Sequence, residues 1–168
     1  MEEIEVPTEH LHEEIKEKAE EEGGGWSLYI AISTALMAVI AAIAGMLAGH
    51  HSNEALIEQI KASDQWAFYQ AKSIKAEIRA LKPASELNGK TAEQTKAEAE
   101  EVKKEAEEDE ASSKAHLARH VVLARSVTLF QVAIAISAIA ILTRKRFLWI
   151  VGIVIALAGT VFFVSGLL

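Results

Sequence analysis

Hydrophobic and polar positions in this chain fall into long separate blocks, and the blocks predict its elements. Residues 26–49 carry no charged side chain. A run of that length crosses a hydrocarbon core of about 30 Å as a helix. Trp26 and Tyr29 stand at its start, where amphipathic rings favour an interface. A second apolar block covers residues 126–143 and is approached from Val121 across Arg125, whose aliphatic stem lets its charge reach the interface. A third, residues 147–168, is uncharged. Only the basic link at residues 144–146 divides the last two, so they form an antiparallel helical pair. In lipid each span must satisfy its own backbone groups, which makes all three helical.

Residues 50–125 follow a different rule. Ile57, Ile60, Asp64, Ala67, Ala71, Ile74, Ile78 and Leu81 are spaced alternately three and four apart, the spacing of a heptad seam with one polar member. No Gly or Pro lies between Gly49 and Pro83, so the first span is expected to run on as one helix through Leu81. A turn is expected over residues 83–90, at Pro83, Asn88 and Gly89. A second helix then begins near Thr91, with Thr95, Ala99, Val102 and Ala106 as a small-residue seam. A turn centred near Leu87 places Ile74 opposite Ala99 and Ala71 opposite Val102. Beyond Ala106 two continuations compete. One turns Asp109, Ser113, His116 and His120 inward; the other, preferred because it buries methyl groups, turns Ala111, Ala115, Ala118 and Val122 inward. The expected fold is all-α: an integral membrane protein with three transmembrane helices and an extramembrane antiparallel coiled-coil hairpin continuous with the first and second spans. Residues 1–25 form an acidic tail in which Thr8 caps a short helix carrying Leu11, Ile15 and Ala19 on one stripe, ended by three glycines.

Composition agrees with this division: 51% of the residues are hydrophobic and 24% charged, in separate places. The tail holds ten Glu against Lys16 and Lys18, unlike the basic start of a signal peptide. A net charge of −7 argues against nucleic acid as a partner. The absence of cysteine removes disulfides, thiolate metal sites and thiol nucleophiles. No phosphate-binding, dinucleotide or nucleophile-elbow motif is present, so no cofactor is expected.

Several passages resemble the DUF4337 family of bacterial membrane proteins of unknown function. They are Glu9-His10-Leu11-His12-Glu13, the run from Leu47 to Ala55 through His50 and His51, and above all the run from Gln59 to Lys75 with its Ser63-Asp64-Gln65-Trp66 core. The resemblance implies a multi-pass protein of the bacterial inner membrane and supplies no catalytic residue.

Four candidate features remain. His50 and His51 follow the first span, and His116 and His120 precede the second; the last two share a helical face, so the four are candidate metal ligands. As solvated polar residues they need no such role. Trp66, Phe68 and Tyr69 lie off the Ile57–Leu81 seam and are expected at an oligomer interface, unless the same chain covers them. Asp64 and Asp109 face each other in the symmetric register as a carboxylate pair. Ala31, Ala35, Ala38, Ala42, Gly45 and Gly49 in the first span, with Gly152, Ala156 and Gly159 in the third, form small-residue stripes suited to transmembrane packing.

Three functions follow from these features. The first is a non-catalytic, self-associating scaffold in the bilayer, a homo-oligomer whose hairpin also offers a surface to a protein partner. The second is a pore or transport accessory made by a ring of subunits, lined by groups such as Ser33, Thr34 or Gln131. The third is a metal-responsive or hydrolytic protein using the histidines. The positive-inside rule places Arg144, Lys145 and Arg146 in the cytoplasm. The tail is then cytoplasmic, and the hairpin and C-terminus periplasmic. The twelve Lys and Arg of residues 50–125 weigh the other way, but long segments translocate largely regardless of charge.

Overall fold

The computed structural model describes residues 25–82 and 89–168. The expected tail helix, and Pro83 and Asn88 of the expected turn, lie outside the described residues. Among those residues all regular structure is helical, in three elements: α1 (Gly25–Ala80), α2 (Ala92–Thr143) and α3 (Arg146–Leu167). The first is 56 residues long and the second 52, so each carries an apolar and a charged half in one uninterrupted helix. A reciprocal pair starts α2: Thr91 Oγ1 accepts from the Gln94 N–H, and Gln94 Oε1 accepts from the Thr91 N–H. This capping box satisfies two donors that a helix start otherwise leaves without intrahelical partners.

The chain divides into two compact units. One holds the segment up to Gly49 together with Arg119–Leu168; the other is His50–Ala118.

In the first unit three helical segments pack on a core of Met37, Ala41, Phe130, Ala133, Ile134 and Ala156. The buried face of α1 is Ile30, Thr34, Met37, Ala41, Ala44 and Ala48. The small-residue stripe expected to pack lies beside this face. Ala42 and Gly49 are exposed, and Ala31, Ala35, Ala38 and Gly45 are half-buried flanks. The two stripes are offset by one residue, about 100° around the helix, so the groove receives Ile30 and Met37 as well as alanines.

Gly152, Ala156 and Gly159 of α3 are buried. A Cβ on Gly152 would stand 2.9 Å from Ser137 Oγ and 3.1 Å from the Ala133 carbonyl oxygen. Only glycine therefore lets α3 approach α2 there. Ser126 Oγ ties the two helices by donating to the Gly159 carbonyl at 2.9 Å. At the other end, the Trp149 indole N–H donates to Ser33 Oγ at 3.2 Å, and the Arg146 guanidinium lies 5.7 Å from the Trp26 ring centroid. The start of α1 and the basic link thus share one end of this unit. α2 closes on Arg144 in the left-handed region (φ 55°), with Lys145 N–H bonded to the Ala140 carbonyl and Arg144 N–H to that of Ile141. These are the two bonds of a Schellman stop.

Burial in this unit runs opposite to that of a water-soluble bundle. The interior is largely Ala, Gly, Ser and Thr around Phe130, whereas Leu28, Ile32, Leu36, Val39, Ile43, Ile150, Val154, Leu157 and Val161 are exposed.

The second unit is an antiparallel helical hairpin. Contacts ascend its two arms in opposite sequence order: His51 with His116, Ala55 with Ser113, Gln65 with Glu105, Lys72 with Glu98, and Arg79 with Thr95. On α2 the inward residues are Thr95, Ala99, Val102, Ala106 and Ser113. The 3–4 alternation runs on without a stutter through half-buried Asp109 and His116, while Ala111, Ala115 and Ala118 are exposed. The polar continuation is therefore the one adopted, against the preferred expectation.

On α1 the expected seam is on the wrong face. Ile57, Ile60, Asp64, Ala67, Ala71, Ile74, Ile78 and Leu81 are all exposed. The residues turned to α2 are Ala55, Ala62 and Ala76, with Tyr69 half-buried between them at the same seven-residue spacing. The heptad period holds and its phase does not. Small side chains on both arms let the helices close together, which leaves no room between them for a row of isoleucines.

Candidate functional site

The hairpin carries three groups of interest. The first is the histidines. His51 and His116 meet from opposite arms with their Nδ1 atoms 3.0 Å apart, one donating and the other accepting. Their ring centroids are 5.2 Å apart, and the exposed His50 ring lies 5.5 Å from that of His51. One turn further along, buried Ser113 donates to the Ala55 carbonyl at 2.8 Å. Ser113 belongs to the polar continuation that the sequence offered but did not favour. His120 belongs to the first unit, where its Nδ1–H donates to the Ala48 carbonyl at 2.8 Å, which fixes its tautomer. Among the described residues no three His, Asp or Glu side chains converge as metal ligands.

The second group is the aromatic cluster, which divides. Trp66 and Tyr69 are half-buried, edge to face at 5.7 Å, and the Trp66 indole helps to lower the pKa of Glu110 on the facing helix. Both rings are partly shielded, where a lone hairpin was expected to expose them. Phe68 is exposed, with the Lys72 ammonium 4.7 Å from its ring centroid. Asp64, Gln65 and Phe68 line a shallow surface groove with Lys61 and Asp109. The two aspartates thus open onto one groove, but Asp64 is exposed and does not carry the desolvation cost of a seam position.

The third is the exposed face of α1. Ile57, Ile60, Ile74, Ile78 and Leu81 are each 45% to 87% exposed, and they recur at heptad spacing. They form two apolar clusters on one face, Ile57 with Ile60 and Ile74 with Ile78 and Leu81, separated by Asp64, Ala67 and Ala71.

A hydrogen bond from Lys114, its charge, and the Trp66 N–H hold the Glu110 carboxyl below the ordinary carboxylate range. Glu98 is lowered in the same way, first by its hydrogen bond to Lys90 and then by Lys72. In the first unit the polar groups expected to line a pore bond internally. Thr34 donates to the Ile30 carbonyl, and Ser33 donates to the same oxygen while accepting from Trp149. Gln131 is exposed on the outside of its helix.

The profile of the family described as "Domain of unknown function (DUF4337)" matches residues 26–168, all three helices included. The chain belongs to this family. None of the curated proteins and none of the solved structures matches it. The DUF4337 match covers both units and leaves out only residues 1–25, so the histidine pair, the half-buried Trp66 and the apolar row all lie within the family's domain.

Proposed function

We propose that this chain is a non-catalytic membrane scaffold that associates with copies of itself through its water-facing hairpin. The observation that carries the reading is the exposed apolar row Ile57, Ile60, Ile74, Ile78 and Leu81. Clustered apolar surface on a water-facing element marks an interface. Heptad spacing calls for a helical partner of the same supercoil. A second copy supplies one. The outer face of its α2 arm carries exposed Ala97, Ala111, Ala115 and Ala118. The arms also differ in charge: residues 92–118 hold nine acidic side chains against four basic, and residues 50–82 hold five basic against four acidic. Large faces small and basic faces acidic when the α1 arm of one copy meets the α2 arm of another.

Membrane insertion is supported by three helices long and apolar enough to span, and by the inverted burial of the first unit. Lipid removes any reason to hide Leu and Ile, and packing then favours small residues and hydroxyls inside. The family resemblance and the basic link support a bacterial inner-membrane location with a periplasmic hairpin.

The test is mass in mild detergent, by light scattering and cross-linking. Ile60→Asp combined with Ile78→Asp should lower the oligomeric mass while helicity is retained. A folded double variant with the native mass would sink the proposal.

A further inference from the structure

We propose that His51 and His116 form a two-histidine site for an imidazole-preferring transition-metal ion, Zn²⁺, Ni²⁺ or Cu²⁺, joining the two arms of the hairpin. The geometry is unusual for two histidines that merely share a surface. Their Nδ1 atoms, not their outer Nε2 atoms, converge to 3.0 Å. A neutral imidazole has one ring nitrogen with a lone pair. In the bare protein one ring donates its Nδ1–H to the Nδ1 lone pair of the other. A shift of that proton to the ring's Nε2 turns both Nδ1 lone pairs into the gap, where a metal ion can take the proton's place with little adjustment: zinc lies ~2.0–2.1 Å from each nitrogen, so a tetrahedral site separates two ligand nitrogens by about 3.3 Å. The arms need open by only a few tenths of an ångström.

The arms are also held ready. Ser113 is three residues before His116, Ala55 is four after His51, and the hydrogen bond between them sets the helix separation one turn away. A gap fixed in advance lowers the ordering cost of binding. With two protein ligands the remaining positions fall to water, so the ion exchanges readily and is no structural zinc of the four-ligand kind. Sequence spacing pointed to His116 and His120 as the pair on one face. The arrangement across the arms instead selects His116 with His51, and His120 is committed to the Ala48 carbonyl.

The experiment uses the full chain in detergent, without a histidine tag, stripped with EDTA and held at pH 7.5. ZnCl₂ and NiCl₂ are titrated separately, with bound metal counted after dialysis and the thermal midpoint followed by circular dichroism. One ion per chain should bind and raise the midpoint. His51→Gln and His116→Gln should each weaken binding at least tenfold and abolish the metal-dependent rise, with native helicity. His120→Gln should leave both unchanged. Absence of saturable binding would overturn the site and leave a proton alone in the gap. Binding that survives in both His51→Gln and His116→Gln would overturn it equally.

Discussion

At the scale of single residues, glycine and alanine decide how closely helices approach, and their positions differ in what they tolerate. Gly152 faces Ser137 Oγ and the Ala133 carbonyl at distances no Cβ accepts, whereas a Cβ on Gly49 meets nothing within 4 Å. Gly152→Val should therefore cost about 1–3 kcal/mol through overpacking. Gly49→Ala should be neutral or stabilise by roughly 0.5–1 kcal/mol, because it removes backbone freedom from a helix interior. Reversible unfolding in detergent checks both. Equal effects would mean that α3 does not seat on α2 through Gly152. The small-residue stripe of α3 could be read from sequence because most of its neighbours are large. In α1 the alanines are spread around the helix, and nothing in their spacing says which row is inside.

At the scale of the element, the hairpin separates periodicity from phase. The 3–4 alternation on both arms was legible, as was the inward row Thr95, Ala99, Val102 and Ala106 on α2. The phase on α1 was not, because a preference for large hydrophobes inside selects the isoleucines, and that preference fails where two helices pack at alanine distance. The signal that identifies the true seam is Ala55, Ala62 and Ala76 at sevenfold spacing, matched in size to the facing arm. Two substitutions discriminate. Ala62→Glu places a charge at a position with no exposure and should destabilise the hairpin by several kcal/mol, of the order of an uncompensated buried charge. Ile60→Glu, at 62% exposure, should change hairpin stability by no more than ~0.5 kcal/mol. Hydrogen exchange of α2 amides reads the hairpin alone; greater loss of protection from Ile60→Glu than from Ala62→Glu would restore the original phase.

At the scale of the molecule, three long apolar helices and a helical pair were legible because charge-free runs and heptads are long-range signals that single residues do not blur. The four histidines could be grouped from the sequence, but not that His51 pairs with His116 while His120 bonds the Ala48 carbonyl, since that depends on the exact register of the arms. In the proposed orientation the three cations at residues 144–146 face the cytoplasm. With no native cysteine, labelling is unambiguous. A membrane-impermeant maleimide should modify Lys90→Cys in intact spheroplasts and miss Lys145→Cys. The opposite pattern would move the hairpin, with its histidines and apolar row, to the cytoplasm.

The left-handed turn at Arg144 carries a further consequence. That conformation suits glycine, and a residue with a side chain holds it at a cost of roughly 1–2 kcal/mol. Arg144 meets that cost while making an interaction of its own and adding a cation to the basic link. Under the proposed orientation, Arg144→Gly removes one of the three charges that hold the link inside, so a fraction of molecules should accept label at Lys145→Cys.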